Sequence, residues 1–106
     1  MPSNRKTKEK ILTYISLFSS AGVGCYGFKM AGFECIATCE LLSRRLNIQR
    51  YNHKCRYESG YICGDMTLDE TKDIIESEFD RWRKNHGIND LDVLIATPPC
   101  QGMSYA

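Results

Sequence analysis

Leu17-Phe-Ser-Ser-Ala-Gly-Val-Gly-Cys-Tyr-Gly27 is the stretch on which the fold turns. Ahead of it, Thr13-Tyr-Ile-Ser-Leu-Phe18 has the β-branched and aromatic content of a strand; behind it the chain enters a short helix that Gly32 should end. Inside it, Gly22-Val-Gly24-Cys-Tyr-Gly27 is literally G-x-G-x-x-G, set between a strand and a helix as the dinucleotide fingerprint requires. Strand, glycine-rich turn and helix in that order predict the first unit of an α/β protein, with the turn at a ligand-binding edge.

Working outward, the rest of the chain alternates in the same way, giving β-α-β-α-β-α-β without repeats or linkers. A second strand is predicted at Glu34 to Cys39, a second helix from Leu42 through Leu46 to Tyr51, and a short third strand at Tyr61-Ile-Cys63, closed by Gly64-Asp65. A third helix should begin at a capping box of Thr67 with Glu70 and stop at Gly87. Leu68, Ile75, Phe79 and Trp82 fall on one face, acids lie early and Arg81, Arg83 and Lys84 late. Asp92-Val-Leu-Ile-Ala-Thr97 reads as a parallel strand covered on both faces. Right-handed crossovers then predict a doubly wound sheet of order 3-2-1-4, whose switch point lies between the first and fourth strands. The glycine-rich turn and the Pro98-Pro99-Cys100-Gln101 loop should meet there.

The 106 residues allow one domain, read as a polar basic tail over 1–10 followed by residues 11–106. At 42% hydrophobic and 25% charged, the chain is too apolar for disorder. A net charge of +1 supplies no global field toward nucleic acid or an anionic membrane. Val93 to Ala96 is the longest apolar run, far below the roughly 20 residues that span a bilayer, so a cytoplasmic or nucleoid-associated protein is expected. The six cysteines have no zinc-ligand spacing and are expected as reduced thiols, with Cys25, Cys35, Cys39, Cys55 and Cys63 as small buried hydrophobes.

Several residues stand where chemistry can happen. Glu40, 18 positions after Gly22 and at the end of the second strand, can accept from both hydroxyls of a ribose. This suits an adenosine-containing cofactor without choosing between a nicotinamide dinucleotide and S-adenosylmethionine. Asp65 is either an acceptor for an adenine amino group or a turn residue. Cys100 follows two prolines at the ligand-binding edge, with Gly102 leaving room for close approach; nucleophile and structural thiol both fit. Arg44, Arg45, Arg50, His53, Lys54 and Arg56 occupy a stretch without an acid, read as a solvated helix face and loop rather than a phosphate-binding surface.

Taken together, Leu17 to Glu34, then Cys39-Glu40, then Gly64-Asp65-Met66, then Ala96-Thr-Pro-Pro-Cys-Gln-Gly-Met-Ser104, resemble in order and spacing the amino-terminal part of the DNA (cytosine-5) methyltransferases. The resemblance runs from about Tyr14 to Ala106 and implies a partial Rossmann-like methyltransferase fold. It implies that Phe18, Ala21, Gly22 and Val23 line the pocket of S-adenosyl-L-methionine, that Glu40 holds the ribose and that Leu41 packs on the adenine. Asp65 and Met66 would also contact the adenine, Pro99 would border the methyl-bearing end and Cys100 would be the nucleophile. Gln101 and Ser104 would contact double-stranded DNA. The chain departs from the family pattern at Ser20 and Val23, where glycines are usual.

The family's later motifs and target-recognition region are not in these residues. A second chain or a carboxy-terminal part is therefore expected as partner, and the 106 residues alone are expected to be inactive. Two other readings stay open: a non-catalytic cofactor-binding or assembly module of a split methyltransferase, and an NAD-dependent oxidoreductase based on the literal G-x-G-x-x-G.

Overall fold

A computed structural model describes residues 11–20, 22 and 25–96. Four strands, β1 (Thr13–Leu17), β2 (Glu34–Glu40), β3 (Tyr61–Cys63) and β4 (Val93–Ala96), alternate with three helices, α1 (Tyr26–Met30), α2 (Ser43–Tyr51) and α3 (Asp69–His86). The strands pair in parallel in the order β3-β2-β1-β4, as the crossover argument requires. Thr13 starts β1 by donating its N–H to Asp92 Oδ2 at 2.8 Å, which ties the first strand to the residue just ahead of the fourth.

Pairing of β1 with β2 contains one irregularity. Tyr14 lies opposite Cys35 and Ile15 opposite Ala37, so Ile36 is an extra residue, a bulge in β2. Beyond it Ser16 faces Thr38 and Leu17 faces Cys39.

The two sheet faces carry separate clusters. Ile15, Ile36, Ala37, Cys39 and Ile62 pack with Ile75 and Trp82 of α3, while Tyr14, Cys25, Cys35 and Cys55 cluster with Phe28, Phe33 and Val93 on the other side. On α3 the buried residues are Thr71, Ile75, Glu78 and Trp82, a helical stripe at three- and four-residue spacing. Gly87 ends the helix with φ 68° and ψ 19°, its N–H bonded to the Arg83 carbonyl, as expected of a left-handed cap.

Three expectations need correction. Thr67 and Glu70 form no capping box: the Thr67 hydroxyl donates to Asp65 Oδ1 at 2.7 Å, the N-cap is Leu68 without a side-chain bond, and Leu68 is half exposed rather than on the buried stripe. Among the described residues β4 is covered on one face only; Leu94 is 59% exposed, because α3 packs on β2 and β3. Cys63 is exposed, whereas Cys25, Cys35, Cys39 and Cys55 are buried, and all five are free thiols. Among the described residues no helix is long and apolar enough to cross a membrane.

Candidate functional site

β1 stops at Leu17 because the backbone turns left-handed: Phe18 and Ser20 both have φ 55°. For residues with a Cβ this costs about 1–2 kcal/mol each, so the surroundings must hold the turn. Ser19 does part of that, donating to the Cys39 carbonyl through its N–H at 3.0 Å and its hydroxyl at 3.2 Å. Gly22, at φ 87°, donates its N–H to the Ser19 carbonyl at 2.9 Å.

The turn lies beside Glu40, the last residue of β2, whose side chain is almost fully buried. Its Oε1 accepts the Ser20 N–H at 2.6 Å and its Oε2 accepts the Leu42 N–H at 3.1 Å, with Arg45 Nη1 at 3.7 Å from Oε2. Two backbone donors thereby fix the carboxylate plane, and each oxygen retains capacity for a further bond. Backbone donors have no residue identity, so spacing could find Glu40 but not what orients it.

A cavity of about 540 Å³ opens at this point, beyond the carboxyl ends of β1, β2 and β3. Five residues singled out in the sequence, Phe18, Glu40, Leu41, Asp65 and Met66, line it together, with Ser20, Cys39, Leu42, Arg45 and Gly64 completing the wall. Leu41 is 63% exposed, an apolar side chain offered to the opening rather than to the core. Asp65 accepts the Thr67 N–H at 2.9 Å and the Thr67 hydroxyl on the same Oδ1, and these bonds hold its carboxyl below the usual carboxylate range. It is thus a turn residue and a wall residue at once. Burial, with the charges of Glu40, Cys63 and Asp65 adding to it, pushes the Cys39 thiol up to about 11.

Gly22 is not among the described residues of that wall. It lines a second cavity of about 210 Å³ with Tyr14, Lys29, Gln49 and Lys54, on the α1–α2 side of the turn. Ala21, Val23, Pro99, Cys100, Gln101 and Ser104 lie outside the described residues. Sequence reasoning assigned Gln49 no role, named Arg45 only within the basic stretch and Ser20 only as a departure from the family pattern; the signal for Gln49 is its place three residues after the buried Leu46 on the same helical face.

The basic stretch is exposed at Arg44, Arg45, His53 and Arg56, as a solvated face would be, but several of its cations are paired. Arg50 Nε lies 2.7 Å from Glu58 Oε2, Arg56 Nη2 lies 2.5 Å from Glu34 Oε2, and Lys54 Nζ donates to Thr38 Oγ1 at 3.1 Å. The partners come from outside the stretch, which is why a stretch without an acid reads, taken alone, as a solvated face.

A family model for C-5 cytosine-specific DNA methylases matches residues 12–106. Among curated proteins, the chain is 34% identical over 98 residues to the Type II methyltransferase M1.HgaI of Avibacterium volantium, covering 92% of this chain and 25% of that protein. It is 33% identical over 95 residues to the Type II methyltransferase M1.HphI of Haemophilus parahaemolyticus, covering 90% and 23%. With the Type II methyltransferase M.XorII of Xanthomonas oryzae pv. oryzae it shares 30% over 93 residues, covering 85% and 19%. The chain therefore spans a quarter or less of the length of these relatives. No solved structure matches it.

Proposed function

Since the chain belongs to the C-5 cytosine-specific DNA methylase family, we propose that it is the donor-binding and nucleophile-bearing part of a DNA cytosine-5 methyltransferase, with S-adenosylmethionine as donor and double-stranded DNA as acceptor. The observation that carries the reading is the buried Glu40 carboxylate, held by two backbone N–H groups at the mouth of the 540 Å³ cavity. Its two oxygens suit the two hydroxyls of a ribose, and the cavity volume falls in the range of about 300–1,000 Å³ usual for small-molecule sites. Phe18, Leu41 and Met66 offer apolar surface for a purine, and Asp65 an acceptor for its amino group. The residues present therefore fit the donor.

When bound, the donor supplies an electrophilic methyl on a sulfonium. Glu40 orients it through the ribose, and the apolar wall excludes water from its base. Cys100 attacks cytosine as a thiolate, forming a bond to C6 and delivering electron density to C5, which gains nucleophilic character. After methylation the C5 proton leaves, the Cys100–C6 bond breaks, and the C5–C6 double bond returns. A cytosine inside a duplex is out of reach of that thiolate, so the base must be extruded from the stack. Gln101 and Ser104, which follow the nucleophile in sequence, are proposed to contact DNA. The segments that recognise the site and relieve charge on the ring are proposed to come from a second chain or a carboxy-terminal part, acting with this one at the DNA in the cytoplasm or nucleoid.

The test is a calorimetric comparison of S-adenosylhomocysteine with NAD on the intact protein, run beside Glu40→Ala. The homocysteine compound should bind preferentially, and Glu40→Ala should weaken it by about tenfold or more by leaving ribose hydroxyls unpaired. In a second arm, 5-fluorocytosine DNA should trap a covalent adduct that peptide mapping assigns to Cys100. Preference for NAD, or an adduct on another cysteine, removes the reading.

A further inference from the structure

Gln49 of α2 is 1% exposed, at a position where an amphipathic helix would ordinarily place hydrocarbon. A buried primary amide has two donors and one acceptor to satisfy, and among the described residues every side-chain hydrogen bond of Gln49 runs to the sheet or to the turn after β1. Its Oε1 accepts from Thr38 Oγ1 at 2.7 Å, and its Nε2 donates to Ser19 Oγ at 2.8 Å and to the Ser20 carbonyl at 2.5 Å.

The neighbours decide which way round the amide sits. The Ser20 carbonyl can only accept, so the nitrogen must face it; the Thr38 hydroxyl receives Lys54 Nζ at 3.1 Å and turns its proton toward Oε1. Gly22 makes the approach possible, since a Cβ there would lie 3.0 Å from Gln49 Cγ. Ser20 is then gripped from both sides. Gln49 holds its carbonyl, and its N–H donates to Glu40 Oε1 at 2.6 Å, although its φ of 55° disfavours the conformation.

We propose that Gln49 is the positioning residue of the donor pocket: by gripping the Ser20 carbonyl it locks the left-handed turn that aims the Ser20 N–H at Glu40, and so sets the carboxylate that holds the ligand. Gln49 does not line the 540 Å³ cavity, so it acts through Ser20 and Glu40 and not by contact. The effect on ligand affinity rests on the reading that Glu40 holds the donor's ribose; the effect on Ser20 does not.

The experiment therefore has two readouts. Gln49→Glu preserves shape and the acceptor for Thr38 but sets an acceptor against the Ser20 carbonyl; Gln49→Met removes all three bonds and covers the case in which a buried carboxylate prevents folding. In the ligand-free protein, hydrogen exchange of the Ser20 amide should accelerate about tenfold in either variant, about the weight of one hydrogen bond. Affinity for S-adenosylhomocysteine should fall about tenfold in an otherwise wild-type protein and by less than about twofold when Glu40 is already alanine, because both changes act through one carboxylate. Unchanged Ser20 exchange, or losses at Gln49 and Glu40 that simply add, overturns the proposal. Faster Ser20 exchange in a protein that binds no S-adenosylhomocysteine even as wild type upholds the positioning role and removes the donor reading instead.

Discussion

On the face covered by α3, Ile15, Ile36 and Ile62 meet Ile75 and Trp82; on the face covered by α1 and α2, Ser16, Thr38 and Gln49 lie among Tyr14 and three thiols. The first is mostly hydrocarbon, whose burial stabilises without regard to direction. The second is bound by directed contacts, Thr38 to Gln49, Gln49 to Ser19, and Ser16 Oγ to Cys25 Sγ at 3.2 Å. Directed bonds fix where atoms sit more than they add stability. The difference teaches a division: the α3 face holds the sheet together, and the opposite face aims the turn and Glu40.

The largest expected effect tests the first half of that division. Trp82→Ala should destabilise the protein by about 3–5 kcal/mol in urea unfolding, through a cavity against Ile75 and the sheet. Trp82→Phe should cost much less, because the buried indole Nε1 has no hydrogen-bond partner among the described residues to lose. A middling effect tests the second half. Thr38→Val keeps volume but leaves the Gln49 Oε1 without a donor, costing about 1–3 kcal/mol; amide exchange should show the Ser19–Ser20 turn loosening beyond that. If Thr38→Val cost as much as Trp82→Ala, the division would be wrong.

The smallest effect concerns pH. The Cys39 thiol ionises near 9 in an unfolded chain, but burial holds its proton to about 11 in the folded one. Stability from this group is complete below pH 9 and is lost as pH rises from 9 toward 11, because only the unfolded state sheds the proton there. Cys39→Ala should flatten the alkaline fall of stability without abolishing it, since Tyr14 and Cys55 on the other face are raised too.

Element order and strand order were legible because their signals are local: alternation of apolar runs, Gly64-Asp65 after β3, Gly87 after α3. The start of α3 was not, because Thr67 fits a cap by type yet its hydroxyl is captured by Asp65 two residues back. Nor was the bare face of β4, since an apolar run is the same whether a helix covers it or passes over the neighbouring strands. At the site, the spacing from Gly22 to Glu40 found the carboxylate. Its backbone donors carry no signature, and Gln49 contradicts the very periodicity by which a buried helix face is recognised.

The extra residue at Ile36 bears on how the chain tolerates change. In a strand, side chains alternate between faces, so skipping one partner exchanges the sides of everything that follows. If Ile36 instead paired with Ile15, straight pairing would set Ala37 opposite Ser16 and turn the Thr38 hydroxyl and the Glu40 carboxylate toward α3, away from Gln49 and Ser20. The bulge thus decides which side Thr38 and Glu40 face, and it leaves room for change: deleting Ile36 would keep Ala37 opposite Ile15 and Thr38 opposite Ser16 in a regular ladder, so the site would stay on its side of the sheet and lose the packing of one isoleucine.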